Sequence, residues 1–292
     1  MKSDLRDVEQ LSFSLFNAEP LQFPVLISVP HAGRDYPQAI KENLNVPESN
    51  LLRLEDRYAD RLVSPAIQSG FVAMIAHRPR AWIDLNRNPT EIDPDMISGN
   101  VAMRLPQPSR KVRGGLGLIP RRLTGTGNLW RNKWQWQDVA SRIENDHEPY
   151  HHAINAQLQR IKKRFGCAVL LDMHSMPPLK KDEGLDAQIV IGDRFGRSSG
   201  TVYSELATRF FERSNLSVNL NNPYSGGYML HRHGDPADNI HALQLEVDRS
   251  CYLDQALREP SPNMPTVADL VKKLAVLIAD EVIDHGKLEA AE

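Results

Sequence analysis

Three short sequence islands each place an ionisable side chain near the end of an apolar run. They are VPHAG at 29–33, DMHSM at 172–176 and ALQLEVD at 242–248, and they carry His31, His174 and Glu246. Two imidazoles and a carboxylate are the groups that a zinc hydrolase uses as metal ligands and as the base that deprotonates water. The islands therefore predict a metal-dependent hydrolytic site.

A lone histidine is more often a structural hydrogen-bonding group than a ligand, but here two histidines follow apolar runs in the same way. Asp172 lies two residues before His174, on the same side of a strand, and is placed to orient the imidazole. Glu246 stands among apolar neighbours, where a carboxylate is costly unless it is paired, protonated or near a cation. The alternative interpretation of Glu246 is an internal ion pair with an arginine such as Arg249.

The acid that would complete the metal site is less clear. Asp35, Glu55 and Asp56 all lie in segments that a fold can bring beside His31. The run LLRLEDRYADRLV at 51–63 has helical periodicity, so its charged residues are equally compatible with a salt-bridged exposed face. Spacing leaves the choice among these three acids open.

Further polar groups are candidates for substrate contacts. In AWIDLNR at 81–87, alternation along a predicted strand puts Asp84 and Asn86 on one face, and Arg87 can bind a carboxylate with two hydrogen bonds. A structural ion pair is the alternative role for Arg87. The segment SGGYMLHRHG at 225–234 and His241 downstream add three histidines, His231, His233 and His241, which we interpret as substrate contacts and supports rather than primary ligands.

Residues 99–137 form a locally basic excursion with no acidic residue. Its cations are Arg104, Arg110, Lys111, Arg113, Arg121, Arg122, Arg131 and Lys133. Long loops in compact domains are usually functional or disordered, and this one suits a cover over an anionic substrate. Two other interpretations stay open: a solvated positive surface, and a nucleic-acid binder that uses Trp130, Trp134 and Trp136 as stacking platforms.

The elements that must position these residues are typical of an α/β protein. Strands are predicted at 23–30, 71–77, 81–86, 167–174, 187–193, 216–221 and 242–248, and helices at 50–69, 135–165, 199–214 and 266–285, the last beginning at Thr266 and ending at Gly286. Several strands are apolar on both faces, which indicates helices on both sides of the sheet. We predict one domain over residues 1–292, a three-layer sandwich with a mixed, mostly parallel central sheet.

Composition is that of an ordinary globular protein, with 292 residues, 41% hydrophobic and 25% charged residues and a formal net charge of −2. The charge favours no class of partner. The N-terminal MKSDLRDVEQ lacks the apolar core of a signal peptide, and no run approaches the roughly 18 apolar residues of a membrane helix. We expect a cytoplasmic protein with no membrane contact. Cys167 and Cys251 are too few for a disulfide framework.

The order of these motifs resembles the N-formylglutamate amidohydrolase family over about residues 20–255. The resemblance is carried by VPHAG, EDRYAD, RAWIDLNRNP, GLIPRRLTGTG, HEPYHHAI, LLDMHSM, SGGY and HALQLE. The family is similar in fold and site design to the zinc carboxypeptidase and aspartoacylase group. The resemblance implies a zinc-carboxypeptidase-like fold and an amidohydrolase of histidine degradation that acts on N-formyl-L-glutamate.

The resemblance also implies residue roles. His31, Asp56 and His174 would bind one Zn²⁺ or another divalent ion, and Glu246 would be the general base. Asn86 and Arg87 match groups that hold a substrate carboxylate, and we add Arg80 as an oxyanion-stabilising residue. The remaining predicted substrate contacts are Arg122, Tyr228 and Arg232.

Two segments, YMLHRHG at 228–234 and PPLKKDEGLDAQ at 177–188, depart from the family pattern. An amidase for another small anionic N-acyl amino acid, or for a small peptide, on the same zinc site is therefore the first alternative. A metal-binding protein without catalysis is the second. We expect no nucleic-acid partner, and the sequence does not predict an oligomeric state.

Overall fold

The computed structural model describes residues 12–101, 105–179 and 186–289, with backbone alone for 285–289. Arg104 of the basic excursion lies outside these ranges. Strands in chain order are β1 Phe13–Phe16, β2 Val25–Val29, β3 Val72–Ala76, β4 Ile97–Ser98, β5 Arg122–Leu123, β6 Gly127–Asn128, β7 Trp134–Gln135, β8 Ala168–Met176, β9 Ile189–Gly192, β10 Val218–Leu220 and β11 Ile240–Asp248.

Seven of these strands form one central sheet in the order β1-β3-β2-β8-β11-β9-β10. The four central strands β3, β2, β8 and β11 run parallel to one another. β9 pairs antiparallel to β11 and parallel to β10, and β1 pairs antiparallel to β3 at the opposite edge. The predicted mixed, mostly parallel sheet is confirmed.

The helices in chain order are α1 Gln38–Asn43, α2 Ala59–Leu62, α3 Ser64–Gln68, α4 Arg110–Arg113, α5 Trp136–Arg142, α6 Glu148–Phe165, α7 Thr201–Arg213, α8 Tyr228–His233 and α9 Met264–Glu289. A π-helical turn over Ile143–His147 joins α5 to α6. Short 3₁₀ turns cover Glu48–Arg53, Pro94–Met96, Pro236–Asp238 and Arg249–Cys251. Within the described residues, no helix combines the length and the apolar character that a membrane span requires.

Helices cover both faces of the sheet, because its strands are apolar on both sides. In β8, Ala168 and Leu170 face a core cluster that includes residues of α5 and α6. The intervening Val169 and Leu171 face a second cluster that includes residues of α2, α3, α7 and α9. This period-two division between two cores produces the predicted three-layer α/β sandwich.

Three predicted elements are wrong in detail. The run 81–86 is a series of turns, in which Trp82 N donates to Pro79 O and Arg87 N donates to Asp84 O. Ala81, Ile83 and Leu85 are buried in the α5–α6 core. The alternation of apolar residues in this run therefore results from burial of a loop and does not indicate a strand. The last helix begins at Met264 instead of Thr266 and continues through 286.

The predicted helix 50–69 is also interrupted, and the interruption positions the candidate site. A 3₁₀ turn ends at Arg53, Tyr58 has the left-handed φ of 57°, and α2 and α3 follow as separate short helices. At the break, Asp56 N donates a 3.0 Å hydrogen bond to His31 O. This hydrogen bond to the turn after β2 takes the place of a hydrogen bond within a helix, and it places Asp56 beside His31.

Candidate metal centre and its cavity

The polar groups lie where one face of the parallel strands changes from apolar to polar. Along β8, the face that carries Ala168 and Leu170 continues as Asp172 and His174. In the parallel ladder to β11, Glu246 lies opposite His174. These residues share the carboxyl end of the sheet, where α/β proteins bind ligands.

His31 comes directly after β2, in a turn that brings two backbone segments together. A Cβ atom at Gly33 would lie 2.1 Å from Arg78 O, so only glycine fits there. The imidazole is 2% exposed and packs beside that of His174, with ring centroids 4.8 Å apart.

His31, Asp56 and His174 converge on one point. Asp56 Oδ2 lies 3.4 Å from His31 Nδ1 and 3.0 Å from His174 Nδ1. One ligand atom from each residue lies within 4.8 Å of the others. Of the three acids left open by the sequence, Asp56 is the one beside both histidines. Glu55 instead binds Tyr36 and Arg57, and Asp35 pairs with Arg78 on the surface.

A second carboxylate holds each imidazole from behind. His31 Nε2 lies 2.8 Å from Asp84 Oδ1, and His174 Nε2 lies 2.8 Å from Asp172 Oδ2. Both acids are fully buried. Carboxylates in this position fix the ring orientation and leave Nδ1 free to bind a metal.

The local charges set the pKa values of these groups. Burial raises the pKa of Asp56, but the hydrogen bond with His174 and the close His31 imidazole outweigh it and hold that pKa well below its usual range. Burial lowers the pKa of His174, but Asp172 and Asp56 raise it well above its usual range. The arrangement therefore favours positive charge between the imidazoles and Asp56.

These residues fit a divalent metal ion. His31 Nδ1 is buried and has no hydrogen-bond partner among the residues that the structure describes, although it faces the Asp56 carboxylate. Two imidazole nitrogens and one carboxylate oxygen form a ligand set typical of catalytic zinc, which keeps a fourth position open. The triad is thus a possible metal-binding site.

Glu246 shares the cavity with the triad. Its carboxylate accepts a 2.8 Å hydrogen bond from Gln244 Nε2. Burial raises the pKa of Glu246 to about 7; His174 partly offsets this rise and Asp56 adds to it. Arg249 is not its ion-pair partner, because Nη2 of Arg249 contacts Asp56 Oδ1 at 3.2 Å. Among the described residues no arginine forms an ion pair with Glu246, so the alternative interpretation is wrong.

The triad and Glu246 line a cavity of about 430 Å³, called here the catalytic cavity. Its walls also include Arg53, Arg80, Asn86, Arg87, Lys111, Leu116, Leu123, Ser175, Pro177, Tyr224, Gly227, Gln244 and Arg249. Arg80 donates from Nε to Asp84 Oδ2 at 2.8 Å, which fixes its guanidinium. Asn86 accepts a 2.8 Å hydrogen bond from Met229 N, and a Cβ at Gly227 would collide with the Asn86 side chain.

The structure does not bring every predicted substrate contact to this cavity. Tyr228 packs against His147 and His151, and the exposed Arg232 donates to the Tyr228 hydroxyl. Arg122 lies in a neighbouring cavity, where Nη2 donates to Arg113 O. The basic excursion contributes Lys111, Leu116 and Leu123 to the catalytic cavity instead.

Three buried histidines support the loop that carries Asn86 and Arg87. His147 and His151 donate from Nε2 to the carbonyls of Arg87 and Leu85, each at 2.9 Å, and His151 Nδ1 lies 2.8 Å from His233 Nε2. Both His147 and His151 belong to the HEPYHHAI motif, which was the signal in the sequence that could have found them. Burial lowers the pKa of His147 to about 4 and that of His233 to about 3.

The other two histidines predicted as substrate contacts or supports do not line the catalytic cavity. His231 is exposed, and His241 accepts a hydrogen bond from Gly200 N.

Trp130, Trp134 and Trp136 are buried in the α5–α6 core, and Arg142 stacks on Trp134. Because these rings are enclosed, the nucleic-acid interpretation loses the stacking surface on which it rested.

The fold and the site together define an α/β sandwich with two imidazoles, a carboxylate and a buried glutamate at the carboxyl end of its sheet. The sequence profile of the N-formylglutamate amidohydrolase family matches residues 23–253. The chain belongs to this family.

Similar proteins are known from several bacteria. An N-formylglutamate deformylase from Pseudomonas putida is 30% identical over 80% of this chain and 83% of its own length. A second, from Pseudomonas aeruginosa, is 28% identical over the same shares. The crystal structure of N-formylglutamate amidohydrolase from Ralstonia eutropha superposes with a TM-score of 0.85 at 28% identity, covering 94% of this chain and 99% of that one.

A gene product of Agrobacterium tumefaciens shares the fold at 15% identity. Its TM-score is 0.66, with 98% of this chain and 99% of that one covered.

Proposed function

We propose that this protein hydrolyses the amide bond of N-formyl-L-glutamate to formate and L-glutamate, with one divalent metal ion, Zn²⁺ by preference. The observation that carries the proposal is the convergence of His31, Asp56 and His174 beside Glu246 in one cavity. The names of the Pseudomonas relatives support the substrate.

A divalent ion held by His31, Asp56 and His174 would supply Lewis acidity, which lowers the pKa of water and polarises a carbonyl. Glu246 accepts the proton of the attacking water and then delivers it to the departing amine nitrogen. A pKa near 7 suits both tasks, since a group titrating near the working pH accepts and releases a proton with similar ease.

Arg80 supplies positive charge for the oxyanion that develops at the formyl carbonyl. Its guanidinium lines the catalytic cavity and is held by Asp84, so the charge is in place before the reaction begins. Loss of one such preorganised donor typically lowers kcat by about 100-fold or more.

The substrate carboxylates are bound in the same cavity by Arg87, Asn86 and Lys111. Arg87 is held by hydrogen bonds to the carbonyls of Leu116 and Asn86. Burial and the neighbouring Arg87 lower the pKa of Lys111, which marks a concentration of positive charge that a dicarboxylate would neutralise.

The test is an assay of a panel of N-formyl, N-acetyl and N-succinyl amino acids with the wild type and Glu246→Gln. Glu246→Gln is expected to lose about 100-fold or more in kcat while retaining its metal, because only the proton transfer is removed. The matched control is Glu205→Gln on the exposed face of α7. Near-wild-type turnover by Glu246→Gln would remove the role assigned to this residue.

A further inference from the structure

A second cavity of about 490 Å³ adjoins the catalytic cavity. It is called here the arginine cavity and is lined by Ser49, Asn50, Leu52, Arg53, Gly114, Leu116, Arg122, Leu123, Thr124, Pro177, Arg249, Ala256, Leu257 and Arg258. Both cavities have Arg53, Leu116, Leu123, Pro177 and Arg249 in their walls, so the two cavities are next to each other.

We propose that the arginine cavity is a subsite for N-acyl groups that end in a carboxylate, such as succinyl. The protein would then hydrolyse N-carboxyacyl amino acids in addition to the formyl substrate. This inference rests on the proposed function, because it assigns the acyl end of the same substrate.

The arginine cavity has an excess of positive charge. Four of its lining residues are arginines, and none is an acid. Arg249 is neutralised by Asp56. Arg53 binds Thr126 and the Thr124 carbonyl, and Arg122 binds two backbone carbonyls. Within the described ranges, neither of these two arginines has a carboxylate partner. An anionic ligand would provide the missing charge.

Arg258 is the most available of these cations. Its backbone is well anchored, since its amide donates to Asp254 Oδ1 and its carbonyl accepts from Arg57 Nε. Its side chain is exposed and makes no hydrogen bond or ion pair with the residues that the structure describes; Asp254 is the acid that interacts with it electrostatically. The preceding Leu257 has the left-handed φ of 55°, a conformation that non-glycine residues adopt rarely and often near binding sites.

The position of the arginine cavity indicates which end of the substrate it receives. Asn86, Arg87 and Lys111, which hold the amino-acid carboxylates in the proposed function, line only the catalytic cavity. Arg249 is in both walls and contacts Asp56, so the arginine cavity borders the metal centre. The acyl chain therefore extends towards the arginine cavity, where Leu52, Leu123 and Leu257 can cover its methylene groups.

The reaction is the hydrolysis already proposed. Water adds its oxygen to the acyl carbon, the C–N bond breaks, and the amine takes up the proton that Glu246 accepted. A succinyl substrate then leaves as succinate and glutamate. No oxidant or further reactant is required.

The experiment compares kcat/KM for N-formyl-, N-butyryl- and N-succinyl-L-glutamate with the wild type, Arg258→Gln, Arg258→Lys and Arg213→Gln. Butyryl has the chain length of succinyl without its carboxylate. The wild type is expected to prefer succinyl to butyryl by about tenfold or more, as one charge-assisted hydrogen bond allows. Arg258→Gln should lose most of this preference and Arg258→Lys should retain part of it, with N-formyl turnover unchanged. Arg213→Gln makes the same charge change on exposed α7 and should behave as the wild type.

Equal rates for succinyl and butyryl in the wild type, or an unchanged preference in Arg258→Gln, would overturn the subsite. A wild type that hydrolyses none of the three would instead overturn the proposed function. Calorimetric binding of N-succinyl- and N-butyryl-L-glutamate then tests the subsite separately, because the succinyl compound must still bind more tightly to the wild type than to Arg258→Gln. Equal affinities would reject it.

Discussion

Asp84 lies 2.8 Å from Nε2 of His31 through Oδ1, so a fully buried carboxylate fixes the orientation of one candidate metal ligand. The other oxygen of the same group accepts a hydrogen bond from Arg80. Burial raises the pKa of Asp84, but neighbouring positive charge outweighs this effect and holds the pKa well below its usual range. Arg80 makes the largest contribution, and His31 adds to it. One side chain thus positions both a metal ligand and the residue assigned to the oxyanion.

Replacing Asp84 with asparagine should weaken metal binding by about 10- to 100-fold, because the partner that orients His31 and increases its basicity is removed. The measurement is a competition titration with a metal chelator, with circular dichroism to establish folding. Asp35→Asn is the control, since Asp35 is close to His31 in sequence but pairs with Arg78 on the surface. Equal metal affinity of Asp84→Asn and the wild type would contradict the assignment.

The sequence predicted the parts of the site that depend on strands. The apolar runs that end near His31 and His174 are β2 and β8, and Glu246 is in β11, opposite His174. Period two along β8 also predicted correctly that Asp172 faces the same side as His174. These predictions succeeded because a strand fixes side-chain direction by parity alone.

Other parts depend on contacts between distant segments, and local pattern could not supply them. The choice of Asp56 over Glu55 follows from the break before Tyr58 and the hydrogen bond from Asp56 N to His31 O. The alternative in which Arg249 pairs with Glu246 is wrong, because a turn after β11 directs Arg249 to Asp56. The alternation in 81–86 predicted a strand because burial in a core loop produces the same pattern.

The pH dependence of activity should follow Glu246. Its pKa is raised to about 7, and only the ionised form can accept a proton from water. We therefore expect kcat/KM to rise with pH and to level off above an apparent pKa at or below 7, since a bound cation lowers this value further. The profile is measured from pH 5 to 9 with wild type and Glu246→Gln. An ascending limb of the same pKa in Glu246→Gln would assign the titration to another group.

Stability should fall in mild acid because of the buried histidines behind the Asn86 loop. Above pH 6.5, the ordinary histidine value, His147, His151 and His233 are neutral in both folded and unfolded chains. Below it, the unfolded chain binds protons that the folded chain excludes until about pH 4 for His147 and about 3 for His233. Each such histidine lowers the free energy of unfolding by about 1.4 kcal/mol per pH unit in this window.

The measurement is urea unfolding of wild type and His233→Gln between pH 6.5 and 4 at equal metal concentration. His233→Gln should lose stability less steeply than wild type by about 1.4 kcal/mol per pH unit, since one titrating group is gone. Glu246 has a raised pKa and acts in the opposite direction, but it is common to both proteins. Parallel stability curves would show that His233 does not contribute.

Gly33→Ala should destabilise the fold by about 1–3 kcal/mol through overpacking, because its Cβ would lie 2.1 Å from Arg78 O. The turn that carries His31 must then shift. Gly200→Ala is the control: its φ is −63° and the nearest atom to the added Cβ is 3.6 Å away in His241. We expect the control to lose no more than about 1 kcal/mol in urea unfolding, a loss that reflects the weaker N-cap that alanine provides for α7. Similar losses for both variants would argue against the close packing at Gly33.

The most direct test is the metal content of the purified protein, determined by elemental analysis after dialysis against Zn²⁺ and then buffer. We predict one equivalent of divalent metal per chain for wild type and for Glu246→Gln, and loss of most of it in His31→Ala and His174→Ala. A wild-type protein without metal, or histidine variants that keep the full equivalent, would contradict the proposed metal centre of His31, Asp56 and His174.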